Sequence, residues 1–206
     1  MKKRFILFVV LFSLATTISA QSDSGETKST IKLLKSEADS LIIKKTVGVA
    51  IDLLPPILSA SEGDFGYSAQ LWYGYKKIRI RGVIAGFTTP DKLIGNVDFT
   101  NLKTTATALI FDYFLKNNFK GWWYGTGVEK WNNTITSKLN NRNYDLKNYV
   151  ATAGSGYIFK VYKNFYVEPW GAVHFVMNNK EISAENTEYK TKKFQGELSC
   201  KIGWHF

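Results

Sequence analysis

The sequence predicts an all-β fold, an eight-stranded antiparallel up-and-down transmembrane β-barrel with a short N-terminal helix or tail. Two observations predict this class. From Thr46 onward apolar and polar residues alternate with a period of two, the pattern of strands that have one apolar face. The connections between the alternating runs are short and long in turn, as an up-and-down barrel requires when both termini lie at one end.

Eight alternating runs provide the strands, and each is close to the roughly ten residues that a tilted strand needs to cross a bilayer. The runs are 46–53, 68–75, 78–84, 108–115, 122–129, 148–159, 165–175 and 197–206. In chain order, their apolar faces carry Val47, Val49, Ile51 and Leu53; Ala69, Leu71, Tyr73 and Tyr75; Ile78, Ile80 and Ile84; Leu109, Phe111, Tyr113 and Leu115; Trp122, Tyr124, Thr126 and Val128; Tyr149, Ala151, Ala153, Tyr157 and Phe159; Phe165, Val167, Val173 and Phe175; and Leu198, Cys200, Ile202, Trp204 and Phe206.

Turn-forming and polar segments separate these runs. Short turns are expected at 76–77, near 117–118 and at 163–164, and longer polar loops at 55–66, 88–103, 132–145 and 178–191. Three short turns and four long loops are the set that eight strands in up-and-down order need.

The first twenty residues predict a secretory signal peptide. Residues 2–4 are basic, residues 5–15 are apolar, and small residues precede a cleavage point near Ala20. The apolar segment is shorter than the roughly 20 residues of a permanent membrane-spanning helix. We therefore expect export, with residues 21–45 as a polar tail and short amphipathic helix, and residues 46–206 as the barrel.

Charge and cysteine content exclude several classes of protein. The formal net charge is +10, but the lysines are scattered along the chain, so no nucleic-acid partner is predicted. Membrane lipid or lipopolysaccharide phosphates are the expected anionic partners. Cys200 is the only cysteine, which excludes an intramolecular disulfide. No metal-ligand spacing or phosphate-binding glycine motif is found, so we predict no metal and no cofactor.

Aromatic residues cluster near the predicted strand ends, which is typical of the two interfacial girdles of a membrane barrel. The girdle at the short turns would contain Tyr73, Tyr75, Trp122, Tyr124, Phe165 and Trp204. The girdle toward the long loops would contain Phe65, Tyr67, Phe87 and Tyr149.

The opposite face of the runs carries charged residues, which would point into the barrel if the apolar face contacts lipid. These residues are Asp52, Arg79, Arg81, Asp112, Glu129, Glu168, Glu197 and Lys201. Isolated buried ions are costly, so we expect these side chains to pair, with Arg79 and Arg81 lying near Asp112. An eight-stranded barrel is just wide enough to be filled by side chains, which disfavours an open pore.

The last predicted strand is apolar at every second position and ends on Phe206. Its apolar face carries Leu198, Ile202, Trp204 and Phe206. This pattern resembles the terminal strand of small bacterial outer-membrane β-barrel proteins of the eight-stranded OmpX and OmpA-barrel type. The resemblance implies a location in the outer membrane and recognition of this strand, as an assembly signal, by the barrel-assembly machinery.

Three functions fit these patterns. The first is a non-catalytic envelope scaffold or surface-binding protein with a charge-filled lumen, whose external ligand the sequence does not identify; this interpretation gives way if the structure shows a cavity large enough for an acyl chain. The second is an outer-membrane acyl hydrolase or acyltransferase with His174 as base, Glu168 as a candidate carboxylate, and Ser199 or Ser68 as nucleophile. Because Glu168 lies about 20 Å from His174 along the strand, too far for a direct hydrogen bond, the group that orients the imidazole would be Asp112, Glu129 or Glu197. The third is an exported lipocalin-like carrier, in which charges would face solvent and aromatic residues an internal cavity.

Overall fold

The described part of the chain forms one closed antiparallel barrel. The computed structural model describes residues 45–116, 118–178, 181–184 and 187–206. Within them, the barrel contains eight strands, namely β1 (Lys45–Asp52), β2 (Tyr67–Tyr75), β3 (Ile78–Thr89), β4 (Phe99–Phe114), β5 (Gly121–Ser137), β6 (Asn143–Tyr162), β7 (Phe165–Val176) and β10 (Phe194–His205). They close in the order β1-β10-β7-β6-β5-β4-β3-β2. The predicted eight-stranded antiparallel barrel is confirmed.

Four smaller elements lie in the long connections. Helix α1 is Leu54–Ala60 and helix α2 is Asp91–Ile94, while β8 (Glu181–Ala184) and β9 (Thr187–Lys190) form a separate hairpin. No helix within the described ranges is long and apolar enough to cross a membrane. The predicted signal peptide and almost all of the predicted tail and amphipathic helix lie outside the described residues.

Pairing of β1 with β10 closes the barrel. The register runs from Gly48 opposite His205 to Asp52 opposite Lys201. Closure leaves no barrel strand with an unpaired edge, and it is the only way a sheet can satisfy its backbone in hydrocarbon. The start of β1, the end of β10 and the three short connections lie at one end, called here the turn end. The opposite end is the loop end.

The strands β4, β5 and β6 are much longer than the sequence predicted. They contain 16, 17 and 20 residues, so the predicted loop at 132–145 is largely a hairpin. Their loop-end segments are rich in Asn and Thr, and the outer face there is polar. The period-two contrast in hydrophobicity is therefore lost although the backbone pairing continues. Similarly, the predicted loop at 178–191 contains the β8–β9 hairpin.

These extended ends bury a small apolar cluster of their own. It consists of Ile94, Phe99, Ile135, Leu146, Ile182 and Tyr189. The cluster lies at the loop end and joins α2, the long strands and the β8–β9 hairpin.

The loop that carries α1 is fastened to the barrel wall by polar contacts. Oγ of Ser59 accepts the amide hydrogen of Thr88 at 2.9 Å. The Asp64 carboxylate accepts the Thr88 hydroxyl and lies 2.7 Å from Nζ of Lys103. Bonding to Lys103, with help from Thr88 and the Phe65 amide, lowers the pKa of Asp64 to about 2, so this carboxylate is charged at neutral pH.

Large apolar side chains cover the outer wall. Leu71, Val128 and Leu198 are 61%, 55% and 70% exposed, and every strand of the barrel contributes such residues. The predicted girdle aromatics follow the outward parity with one exception. Phe87 points inward, because it lies an even number of residues from Arg79 and Arg81 on β3 and therefore shares their face.

Candidate functional site in the barrel interior

Five charged side chains form an ion cluster across the barrel axis. Nε of Arg79 lies 2.7 Å from Asp112, and its two terminal nitrogens lie 3.0 and 2.8 Å from the two oxygens of Glu168. Arg81 binds Asp112 through two nitrogens at 2.8 and 3.1 Å. Nζ of Lys201 lies 3.5 Å from Glu168. All five are buried, so the network satisfies ions that would be costly alone.

Strand register explains why these five residues meet. Arg79 is opposite Asp112 on the β3–β4 pair, and Glu168 is opposite Lys201 on the β7–β10 pair. The two pairs face each other across a barrel narrow enough for the Arg79 side chain to bridge them. The cluster therefore joins opposite walls.

Aromatic rings surround the cluster and fill the turn end. The Trp123 ring faces the charged groups of Arg79, Arg81 and Lys201, with centroid distances of 5.2, 4.9 and 5.3 Å. Such contacts add cation–π stabilisation in a dry interior. The apolar plug, which comprises Ala50, Trp72, Phe114, Phe119, Trp123, Ile158 and Tyr166, continues the filling. No continuous channel is evident through this half of the described barrel.

Two glycines make room for the largest plug residues. A Cβ atom at Gly48 would overlap the indole of Trp72, and one at Gly203 would overlap the phenol ring of Tyr166. Nε1 of Trp72 donates a hydrogen bond to the Tyr166 hydroxyl at 2.9 Å. The two rings are therefore held against the backbone of β1 and β10.

Asp52 lies at the edge of the ion cluster and is bound by neutral donors. Its carboxylate accepts hydrogen bonds from the Leu54 amide at 3.0 Å, from Nε1 of Trp170 at 2.8 Å and from the Ser199 hydroxyl. Ser199, one of the predicted nucleophiles, is thus bonded to Asp52.

Toward the loop end the interior opens into a chamber of about 490 Å³. Asp52, Arg81, Trp123 and Trp170 line it next to the ion cluster, and Leu54, Pro55 and Leu58 line it from the α1 side. The expectation of a filled lumen holds only for the turn end. Small inward residues create the space: Ala85, Ala106, Ala108, Gly125, Gly154 and Ala172. Sequence reasoning missed the chamber, although this series of small residues on the inward parity could have indicated it.

An acid–histidine group lies on the chamber wall and consists of Glu129, His174 and Glu197. Nε2 of His174 lies 3.0 Å from Oε2 of Glu197 and forms a hydrogen bond with it. Nδ1 lies 3.3 Å from Oε1 of Glu129, an ion-pair contact that lacks aligned hydrogen-bond geometry. Nε1 of Trp131 donates to Glu129 at 2.7 Å. The imidazole is therefore held between two carboxylates.

Glu168, named as a candidate catalytic residue, does not contact His174. Glu168 belongs to the ion cluster, where Arg79 and Lys201 hold it. The two residues lie six positions apart on β7, about 20 Å along the strand, which is too far for a hydrogen bond. Two of the carboxylates expected to orient the imidazole contact it instead, Glu197 on the adjacent strand β10 and Glu129 on β5, two strands away. The third, Asp112, is bound by Arg79 and Arg81.

Comparison with known proteins identifies the fold and no closer relationship. No protein-family model matches the chain, and no curated protein matches it. Among solved structures, the chain is similar to the N-terminal β-barrel domain of Pseudomonas aeruginosa OprF, with 12% sequence identity and a TM-score of 0.50 over 79% of this chain and 96% of that one.

A second similar structure is a major outer membrane protein from Thermus thermophilus. The identity is 9% and the TM-score is 0.51, over 79% of this chain and 99% of that one. Both proteins contain outer-membrane barrels, so the chain shares the fold of this class.

Proposed function

We propose that the protein is an integral outer-membrane β-barrel that acts as a non-catalytic envelope scaffold or surface-binding protein. The main observation behind the proposal is that apolar side chains lie on the outer wall of the barrel and ionic side chains lie on its inner wall. Large apolar residues cover the outer wall, whereas eight charged residues point inward. A water-soluble protein would expose this apolar surface at high cost, since soluble monomers rarely present patches beyond a few hundred Å². The fold shared with outer-membrane barrels supports the same location.

Exposed lysines on the loop-end side of the apolar outer surface indicate how the barrel contacts lipid headgroups. Lys130 and Lys147 are exposed on the outward parity of β5 and β6, where they lie next to Tyr149 and Asn132 in the register. At the loop end they would reach the phosphates of lipopolysaccharide or other anionic lipid. The turn end carries Lys76 and other lysines in its connections. We propose membrane lipid or lipopolysaccharide, together with the barrel-assembly machinery, as partners.

The lipid-modifying alternative receives partial support from the chamber, which offers space for an apolar group. In the described residues, however, no hydroxyl group is hydrogen-bonded to His174, although Ser68 lines the same chamber, so we still propose the scaffold. Both ring nitrogens of His174 face carboxylates, whereas a general base needs one nitrogen directed at a nucleophile. The hydroxyl of Ser199 is bonded to Asp52. The lipocalin-like alternative requires charges on the outside, and the inward position of Arg79, Arg81 and Glu168 does not fit it.

We expect the protein to be found in the outer-membrane fraction and to migrate faster in detergent gels when unheated than after boiling. A closed barrel keeps its backbone pairing in detergent until heat breaks it. The same material should begin near Gln21 by mass spectrometry, as export with cleavage after Ala20 requires. A water-soluble protein in the periplasmic fraction would reject the membrane location.

We also expect no stable ion conductance from the protein in planar bilayers. The ion cluster and the apolar plug fill the turn end, so no water-filled path should cross the barrel. A variant with Trp72→Ala and Phe119→Ala removes two plug rings and serves as the comparison, with a measurable leak expected. Discrete conductance steps from the unmodified protein would contradict a closed scaffold.

A further inference from the structure

The chamber at the loop end has the size and wall chemistry of a small-molecule site. Its volume of about 490 Å³ lies within the range of about 300–1,000 Å³ that ligand pockets occupy. Most of its lining is apolar, with Val83, Ala106, Ala108 and Trp131 among the wall residues. The polar groups are concentrated at two places, the ion-cluster side and the acid–histidine group.

Formal charge in the interior determines which ligand the chamber favours. The ion cluster has three cations and two carboxylates, and Asp52 at its edge brings the sum to zero. The acid–histidine group adds two carboxylates, and its imidazole can offset only one of them. At least one negative charge is therefore left over. The remaining cation among the described lining residues is Lys192, which is exposed at the mouth.

The buried cation of the chamber wall, Arg81, is already engaged. The Arg81 guanidinium is bound to Asp112 through two nitrogens and to Gln70 at 3.2 Å, so it has little capacity left for an anionic ligand. Glu197 differs, because 26% of its side chain is exposed and the imidazole that it shares with Glu129 can balance only one of the two carboxylates. An uncompensated carboxylate in a largely apolar cavity favours a cationic ligand.

From this geometry we infer that the chamber binds a small amphiphilic organic cation, a protonated amine joined to an apolar body. The ammonium group would lie against Glu197 and Glu129. The apolar body would lie along the alanine-rich wall near Ala106 and Ala108, and the Trp131 indole would contact it. This binding site would be a property additional to the proposed scaffold role, and it requires only that the barrel be folded.

The test compares three probes of nearly equal shape on the full chain, extracted into a neutral detergent. The probes are 4-phenylbutylamine, 4-phenylbutan-1-ol and 4-phenylbutanoate, and binding is measured by titration calorimetry and by fluorescence of the chamber tryptophans. We expect the amine to bind at least about tenfold more tightly than the alcohol or the carboxylate, as a charge-assisted hydrogen bond implies. Equal or tighter binding of the alcohol or carboxylate would overturn the inference.

Two variants test whether Glu197 binds the ammonium group of the probe. Glu197→Gln keeps the shape of the side chain and removes its charge, so the amine affinity should fall at least about tenfold. Glu62→Gln, in the exposed loop after α1, is the matched control and should leave the affinity unchanged. An unchanged affinity in Glu197→Gln would contradict the assignment, as would displacement of the amine by an equal concentration of sodium ion, which would indicate an inorganic cation site.

A second pair of variants tests the location independently of charge. Ala108→Phe adds a ring to the chamber wall and should abolish amine binding, whereas Ala151→Phe adds the same ring to the outer wall and should have no effect. Heat-dependent gel migration of each variant shows whether the barrel is folded. A folded Ala108→Phe barrel that still binds the amine, or a folded unmodified barrel that binds none of the probes, would overturn the inference.

Discussion

Replacing Arg79 by methionine is expected to lower the free energy of unfolding by about 3–5 kcal/mol, the largest effect of any single substitution considered. Arg79 is fully buried and makes three hydrogen bonds, one to Asp112 and two to Glu168. Methionine has similar length and apolar bulk but no donor. Glu168 would then keep only its longer contact with Lys201. The loss is large because an uncompensated charge remains in a dry interior.

Urea unfolding of the vesicle-reconstituted barrel, followed by tryptophan fluorescence, measures the effect. Lys103→Met is the matched control, since Lys103 forms a short but exposed ion pair with Asp64, which should contribute far less to stability than the buried contacts of Arg79. The double variant Arg79→Met with Glu168→Gln should recover much of the loss, because it removes the stranded charge as well as its partner. A loss in Arg79→Met no greater than in Lys103→Met would show that the cluster is not the main support of the interior.

Substituting valine for Gly203 is expected to destabilise the barrel by about 3 kcal/mol or to prevent closure. The added Cβ would overlap the Tyr166 ring. This ring is poorly able to move, because it is hydrogen-bonded to Trp72 and stacked on His205 with centroids 6.0 Å apart. Gly203 also lies on the strand that closes the barrel, opposite Ala50 of β1.

Gly196 offers a control on the same strand. A Cβ at Gly196 would have no heavy atom within 4 Å, because this residue faces outward. Gly196→Val should therefore be tolerated, with a change in unfolding free energy near zero. The comparison uses the fraction of protein that shows heat-dependent migration and the urea midpoint of that fraction. Equal behaviour of the two variants would mean that the plug adapts easily and that ring packing does not limit closure.

Much of the barrel follows from the sequence because the orientation of a strand residue is a local property. Arg79, Arg81, Asp112 and Glu168 lie on the parity opposite to the large apolar residues, and the structure buries all four. Phe87 departs from the predicted girdle, because a position near a strand end does not determine which face a ring occupies, whereas its parity with Arg79 and Arg81 places it inside. The predicted loops are too long where β4, β5 and β6 continue beyond the apolar band, because the outer face there is polar and the few apolar residues of the inner face alternate with Asn and Ser.

The sequence by itself determined that eight strands alternate, that apolar residues face outward and that the ions face inward. The sequence also placed Arg79 and Arg81 near Asp112, but only the tertiary structure decided which ions meet across the barrel axis. Arg79 binds Glu168 across the barrel, and His174 lies between Glu129 and Glu197. The physical reason is that side-chain parity repeats every two residues and is fixed locally, whereas contacts across the axis depend on the stagger and closure of the whole sheet. The chamber also depends on closure of the sheet, because it forms where small inward residues of several strands lie at the same height along the barrel axis.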